Sequence, residues 1–157
     1  MKSEKDSAHI LAPPPIFFIA GMLIGGAIHF FYPVHLLLSP YSIILAFLFL
    51  WASIPLIIFS LKAFFKVKTA FDARKTKTIL VTTGIYKISR NPAYLSLVFF
   101  HMGISLLVNS LWILIMLAPI IFILQKYVIE REEKYLSEKF GSRYLAYKDQ
   151  VRRWFFK

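Results

Sequence analysis

The chain has 157 residues, 58% of them hydrophobic, yet 19 Lys and Arg stand against 8 Asp and Glu for a formal net charge of +11. A positive mean hydropathy combined with that charge excludes an ordinary soluble domain. The lack of any cysteine excludes disulfides, thiol catalysis and cysteine metal sites.

The N-terminal "MKSEKDSAHILAPPP" is mixed in charge and has no small-residue cleavage site nearby, so it reads as retained. No Asp, Glu, Lys or Arg occurs from Ser7 to Leu61, or again from Asn91 to Gln125. Apolar runs of about 20 residues, rising about 1.5 Å each, cross a hydrocarbon layer of about 30 Å. The sequence therefore describes an integral, multi-pass membrane protein. Ile16 to Leu38 is the first expected span, with Pro15 suited to the opening turn. Gly21, Gly25 and Gly26 form the kind of small-residue patch that lets membrane helices approach closely. The short "SPYS" turn leads to a second span over Tyr41 to Phe65, in which Pro55 is expected to introduce a kink.

From Lys66 to Arg90 the character changes: Lys66, Lys68, Arg74, Lys75, Lys77, Lys87 and Arg90 stand against a single Asp72. Apolar character returns from Ala93 to Val108, Asn109-Ser110 makes a tight turn, and a fourth run follows from Leu111 to Ile129 with Pro119 inside it. The third run is short for a full span. Glu130 to Lys157 is basic and aromatic. The expected fold is all-α: about four transmembrane helices and a C-terminal amphipathic helix, in a single membrane domain over residues 1–157. The Pro33–Pro40 loop and the Asn109-Ser110 turn carry no Lys or Arg. Basic loops stay on the cytoplasmic side, so both termini, the middle loop and the tail are expected there.

In the tail, Leu136, Phe140, Tyr144, Tyr147 and Val151 recur along one helical face. Gly141 is a natural helix end and Ser142 a natural cap for the next helix. Lys134, Lys139, Arg143, Lys148, Arg152 and Arg153 occupy the other faces. Such a segment suits an interfacial helix attracted to anionic lipid, or a lid over the cytoplasmic mouth. Nothing in it calls for nucleic acid.

Two clusters carry chemistry. Asn91-Pro92 reads as a helix start, N-cap and first helical residue. That places free N–H groups and a positive dipole end beside Arg90, favourable for an anion. Alternatively, Arg90 snorkels to phosphate headgroups and Tyr94 belongs to an aromatic belt. The second cluster is Glu130, Glu132 and Glu133. At the C-terminal end of the fourth span these carboxylates oppose the helix dipole and repel one another. Glu130 and Glu133 share a face, with Glu132 pointing elsewhere. A cationic ligand or Arg90 would compensate them; so would solvation and pairing with Arg131 and Lys134. His101 and Ser105 share a face with Tyr94, which suits either a cavity lining or a packed polar contact. No histidine or carboxylate set has metal-ligand spacing, and "GMLIGG" lacks the strand that a dinucleotide site requires.

The order L-V-T-T-G-I-Y (80 to 86), S-R-N-P-A-Y-L (89 to 95), a helical hairpin, then E-R-E-E-K-Y-L-S-E-K-F-G-S-R-Y-L-A-Y (130 to 147) resembles the isoprenylcysteine carboxyl methyltransferases and related phospholipid methyltransferases. The resemblance runs from about Phe71 to Phe155. It implies a membrane enzyme that binds S-adenosylmethionine at the cytoplasmic face without a Rossmann domain and methylates a lipophilic small molecule among membrane lipids. It also implies that Leu80 and Val81 give backbone and apolar contacts to the cofactor and that Tyr86 touches it. Asn91, Pro92, Ala93 and Tyr94 would form a wall, with Glu130 opposite and Glu133 as second candidate there. Arg90 and Glu133 become the candidate catalytic pair. The cofactor's carboxylate suits the helix start with Arg90, its ammonium or ribose diol suits a Glu, and its sulfonium suits a tyrosine face. Where the carboxyl methyltransferases typically have Arg-His-Pro, this chain has Arg90-Asn91-Pro92. Where they place a substrate arginine near the end of the preceding span, it has Gln125 and Lys126. The resemblance thus reaches the cofactor site and stops short of a prenylcysteine substrate. An NADPH-dependent reductase of the sterol-reductase type and a non-enzymatic membrane scaffold are the alternatives.

Overall fold

The computed structural model describes residues 12–66 and 79–155. The expectations for the N-terminal stretch before residue 12, and for Lys68, Asp72, Arg74, Lys75 and Lys77, lie outside the described residues. Among the described residues all regular structure is helical. Helix α1 (Pro14–Phe31) begins on consecutive prolines, which need no N–H partner in a first turn. It ends at Phe31, earlier than the apolar pattern suggests, because Pro33 disfavours helical geometry at Tyr32; Tyr32 sits at φ −133°, ψ 76°. Helix α2 (Ser39–Lys66) begins inside the "SPYS" stretch and continues through Pro55 as one helix.

Helix α3 (Pro92–Leu107) has 16 residues, a rise of about 24 Å and short of the roughly 30 Å hydrocarbon layer. The fourth apolar run is longer than expected. It forms a helical rod from Leu111 to Phe140, made of α4 (Leu111–Ile115), α5 (Leu117–Ile123), a π-helical stretch (Leu124–Ile129) and α6 (Glu130–Phe140). Pro119 accounts for the break after Ile115: its ring crowds the carbonyl four residues back and it has no N–H for that bond. Nothing between Ile120 and Phe140 stops a helix, and it runs on to Gly141, which takes φ +54°. Helix α7 (Ser142–Gln150) follows with Gly141 itself at the cap position; Ser142 is its first residue and makes no cap.

Among the described residues, three helices are long and apolar enough to cross a membrane: α1, α2 and the Leu111–Phe140 rod. The third expected span, α3, is shorter and packs along α2. Its C-terminal end meets the loop after α1, where the Leu111 N–H donates to the Val34 carbonyl at 3.0 Å. Asn109 holds that loop. It adopts φ +54°, a conformation Asn tolerates. Its Oδ1 accepts from the N–H groups of Leu36 (3.0 Å) and Leu37 (3.1 Å), and its Nδ2 donates to the Leu37 carbonyl (2.8 Å). Trp112 Nε1 adds a bond to the Tyr32 carbonyl at 2.6 Å. The outward faces of α1 and α2 are apolar, with Leu23, Leu48, Trp51 and Phe65 exposed, as helices in hydrocarbon require.

Small residues set the helix spacing. A Cβ at Gly25 would lie 2.7 Å from Ile113 Cα and 2.8 Å from its nitrogen; one at Gly21 would strike the Ile120 side chain; one at Gly26 would meet nothing. Gly103 plays the same part between α3 and α2, where a Cβ would come within 2.6 Å of the Leu50 side chain. His101 is fully buried, its Nε2 donating to the Ile113 carbonyl at 2.8 Å with Phe18 edge-on to the ring. Of its two expected roles it takes the packed polar contact.

Gly25→Ala is expected to cost about 1–3 kcal/mol, the usual cost of overpacking a fixed contact. Gly26→Ala should be neutral or slightly stabilising, because Ala is the better helix former. Thermal melting of the two variants in the same detergent checks this, and equal melting temperatures would show that the α1–α4 approach is not set at Gly25.

Candidate functional site

At the end of the bundle away from Asn109, the segment before α3 is shaped by Gly84, whose φ of +64° only glycine adopts freely. It opens a 3-10 turn over Gly84–Lys87 that buries Tyr86. The Tyr86 ring lies edge-on to Phe64 of α2, with centroids 5.5 Å apart. Asn91 occupies the N-cap position of α3 but its side chain makes no cap. Instead its Nδ2 donates to the Arg153 carbonyl at 3.0 Å, while its own N–H goes to Ser89 Oγ at 3.1 Å. The Arg153 carbonyl of the tail holds the amide through its Nδ2, and the side-chain oxygen makes no cap.

That tail crosses the site. The Arg90 N–H donates to the Arg152 carbonyl (2.9 Å), Ser89 Oγ to the Arg153 carbonyl (3.1 Å), and Tyr147 OH to the Tyr86 carbonyl (2.6 Å). Its charged anchor is Glu133. Arg153 binds this carboxylate through Nε (2.9 Å) and a terminal nitrogen (2.8 Å), Arg90 approaches to 3.3 Å and Lys148 to 3.7 Å. Arg90 and Glu133 each keep only 9% of their side-chain surface exposed.

These segments enclose a cavity of about 260 Å³. Leu80, Val81, Tyr86, Arg90, Asn91, Ala93, Tyr94 and Glu133, all singled out from sequence, line it. Two others do not. Pro92 is buried but lies outside the lining. Glu130 stands away from the cavity, paired with Lys126 at 3.3 Å on a solvent-accessible face. Glu132, expected to point elsewhere, is buried and lines the cavity, accepting from Tyr94 OH at 2.9 Å. The expectation placed these carboxylates at a helix C-terminus, whereas the rod continues through them. The π-helical stretch just before them, with one extra residue per turn, changes which positions face inward. Tyr144 and Tyr147 also line the cavity; their place on the tail's regular apolar face was the available signal. The remaining lining is apolar: Pro13 to Pro15, Ile57, Phe64 and Ile79 from the N-terminus of α1, from α2 and from the segment before the 3-10 turn, with Leu97, Ile129 and Leu136 from α3 and the rod.

Burial keeps Tyr86, Tyr144 and Tyr147 neutral. Burial, reinforced by Glu133, pushes Tyr144 up to about 12; burial and then Glu132 raise Tyr86 well above the usual phenol range, and burial with Tyr144 does the same for Tyr147. The hydrogen bonds to Glu133 raise Arg153 in turn. Arg90 Nε is buried without a hydrogen-bond partner. An arrangement of two carboxylates, a guanidinium and four phenols beside an apolar wall can bind and orient a small molecule carrying both charges and shield it from water. It offers no thiol and relies on positioning.

A family model described as phospholipid methyltransferase matches residues 41–143. The protein-S-isoprenylcysteine O-methyltransferase of Saccharomyces cerevisiae is 39% identical over 82 residues, covering 50% of this chain and 33% of its own length. An uncharacterized protein of Haemophilus influenzae is 47% identical over 66 residues, 39% of this chain and 97% of that protein. The chain thus spans a third of the yeast relative. No solved structure matches significantly.

Removing the Glu133 charge leaves three cations facing one another, so Glu133→Gln is expected to release the tail: loss of one partner from a buried pair costs about 3–5 kcal/mol. Tryptic cleavage between residues 143 and 153 should accelerate at least roughly tenfold, whereas Glu138→Gln, at an exposed pair with Lys134, should leave it unchanged. The Tyr144 shift sets a pH dependence. Its contribution to stability is complete below the unfolded-state value of about 10 and is lost as pH rises from there through about 12. Ultraviolet titration of Tyr144→Phe should lack a tyrosinate step near pH 12 that the parent protein shows.

Proposed function

Because the chain belongs to the phospholipid methyltransferase family, we propose that the cavity binds S-adenosylmethionine and that the protein transfers its methyl group to a lipophilic acceptor at the cytoplasmic membrane face. The observation that carries this reading is the convergence of the basic-loop motif and the Glu-rich motif on one cavity whose remaining wall is apolar. The donor set fits the cofactor. Glu132 suits an ammonium or a ribose diol, the faces of Tyr86 and Tyr94 suit a sulfonium, and Arg90 with the start of α3 suits a carboxylate. Leu80 and Val81 supply backbone and apolar contacts. Asn91 lines the cavity and ties its wall to the tail through the Arg153 carbonyl, and Pro92 opens the helix behind it.

When bound, the cofactor supplies a methyl group on a sulfonium, already activated for in-line displacement. What remains for this chain is alignment and exclusion of water. The tail, tied down through Glu133 and through the Tyr147–Tyr86 bond, closes the polar side. The apolar wall from α1 and α2 gives an acceptor a route from the bilayer without passing through water. The clustering of basic residues around this end of the bundle supports a cytoplasmic orientation for it and for both termini. The family also favours this reading over a reductase.

The carboxylate opposite the wall is thus Glu132 in place of Glu130. Calorimetric titration of the detergent-solubilised protein with S-adenosylhomocysteine should show binding, weakened roughly ten- to a hundredfold in Glu132→Gln by loss of a charge-assisted contact and retained in Glu130→Gln. Failure of the parent protein to bind would end the cofactor reading; equal loss in both variants would end the assignment to Glu132.

A further inference from the structure

Arg90 is shared between the cavity and a second, larger space of about 790 Å³. Its floor is apolar: Leu95, Val98 and Phe99 of α3 face Ile121 of α5. Those α3 residues lie within about two turns, or 10–12 Å, of the helix start, so the groove descends from the polar end of the bundle toward hydrocarbon depth. Its rim is basic, with Arg90, Lys148, Arg152 and Arg153 against the one carboxylate of Asp149. Trp154 and Phe155 close its side.

The charges on this rim are not all answered within the protein. Glu133 engages Arg90, Lys148 and Arg153, three cations for one carboxylate. Arg152 is exposed, donates only to the neutral Phe155 carbonyl at 3.4 Å, and forms no ion pair among the described residues. Arg90 Nε is buried and unpartnered. A basic rim over an apolar slot at the end of a membrane bundle is complementary to one kind of molecule, an amphiphile with an anionic head and hydrocarbon chains.

We propose that this groove binds an anionic membrane phospholipid, its phosphate at Arg152 and Lys148 and the upper part of an acyl chain along Val98, Phe99 and Ile121. The ion cluster of Arg90, Glu133 and Arg153 stands between the groove and the cavity, so the bound lipid is out of line with a methyl donor and is a component of the tail's attachment rather than the methyl acceptor. It supplies the negative charge that Glu133 alone does not provide and holds the tail against α3. The site stands independently of the cofactor reading.

Trp154 lines the groove and reports on it directly. The protein is reconstituted in phosphatidylcholine vesicles containing a minor fraction of either phosphatidylglycerol or phosphatidylcholine brominated in the acyl chains, and Trp154 quenching is taken as the difference from Trp154→Phe. The brominated anionic lipid should quench Trp154 more strongly than the zwitterionic one, and the difference should persist at salt concentrations that screen a general surface attraction. Arg152→Gln should lower the preference roughly fivefold, the effect of one basic side chain at an anionic surface. Val98→Phe, which fills the floor without altering a charge, should abolish it. Equal quenching by the two lipids, a preference that disappears at high salt, or one that survives both substitutions would each overturn the site. No outcome depends on cofactor binding or methyl transfer.

Discussion

A single buried carboxylate, Glu133, facing three cations is the interaction on which the polar end of this protein depends. Arg153 and Lys148 come from the tail, Arg90 from the loop before α3, and Glu133 from the rod, so one side chain joins three segments that are distant in sequence. Withdrawing these charges from water is costly, and such clusters add little net stability compared with apolar packing. Their consequence is positional. The bidentate geometry of Arg153 on Glu133 admits one arrangement of the tail, and backbone bonds from Ser89, Arg90 and Asn91 to residues 152 and 153 then follow.

The apolar bundle makes that cluster possible by holding its two ends to different tasks. At one end Asn109 and Trp112 bond backbone groups of the loop between α1 and α2, the N–H groups of Leu36 and Leu37 and the Tyr32 carbonyl, which is how polar backbone is accommodated where water is scarce. At the other end the prolines of α1, the end of α2 and the start of α3 leave a gap that the tail covers. Close approaches at Gly25 and Gly103 set the helix spacing between these ends.

Two spaces with different chemistry result, divided by the same charged side chains. The cavity has carboxylates and phenols beside an apolar wall, suited to a small cationic or zwitterionic molecule that meets a lipophilic one. The groove has cations above an apolar floor, suited to a lipid anion. Arg90 belongs to both, so the electrostatics of one space bear on the other. The tail reads as an interfacial basic helix in sequence and as a cover in the structure, and these descriptions are compatible: Tyr144 and Tyr147 turn inward while Arg143, Lys148 and Arg152 remain exposed.

Charge-free apolar runs, prolines and glycines are local signals, and they determined the all-helical membrane fold, the turn at Asn109, the start of α3 at Pro92 and the helix end at Gly141. The motif residues around Arg90 were legible as a group because their spacing is local too. Which carboxylate faces inward was not. Helical periodicity assumes a constant residue count per turn, and the π-helical stretch over Leu124–Ile129 breaks that assumption just before the Glu cluster, where Glu132 and Glu133 line the cavity and Glu130 does not. Asn91 likewise has a local preference for capping, which a carbonyl 62 residues away overrides. The sequence by itself determined what each segment is, since that depends on neighbours within a few residues. The tertiary structure decided what each polar side chain does, since a buried charge or amide takes whichever partner the fold brings within hydrogen-bond reach.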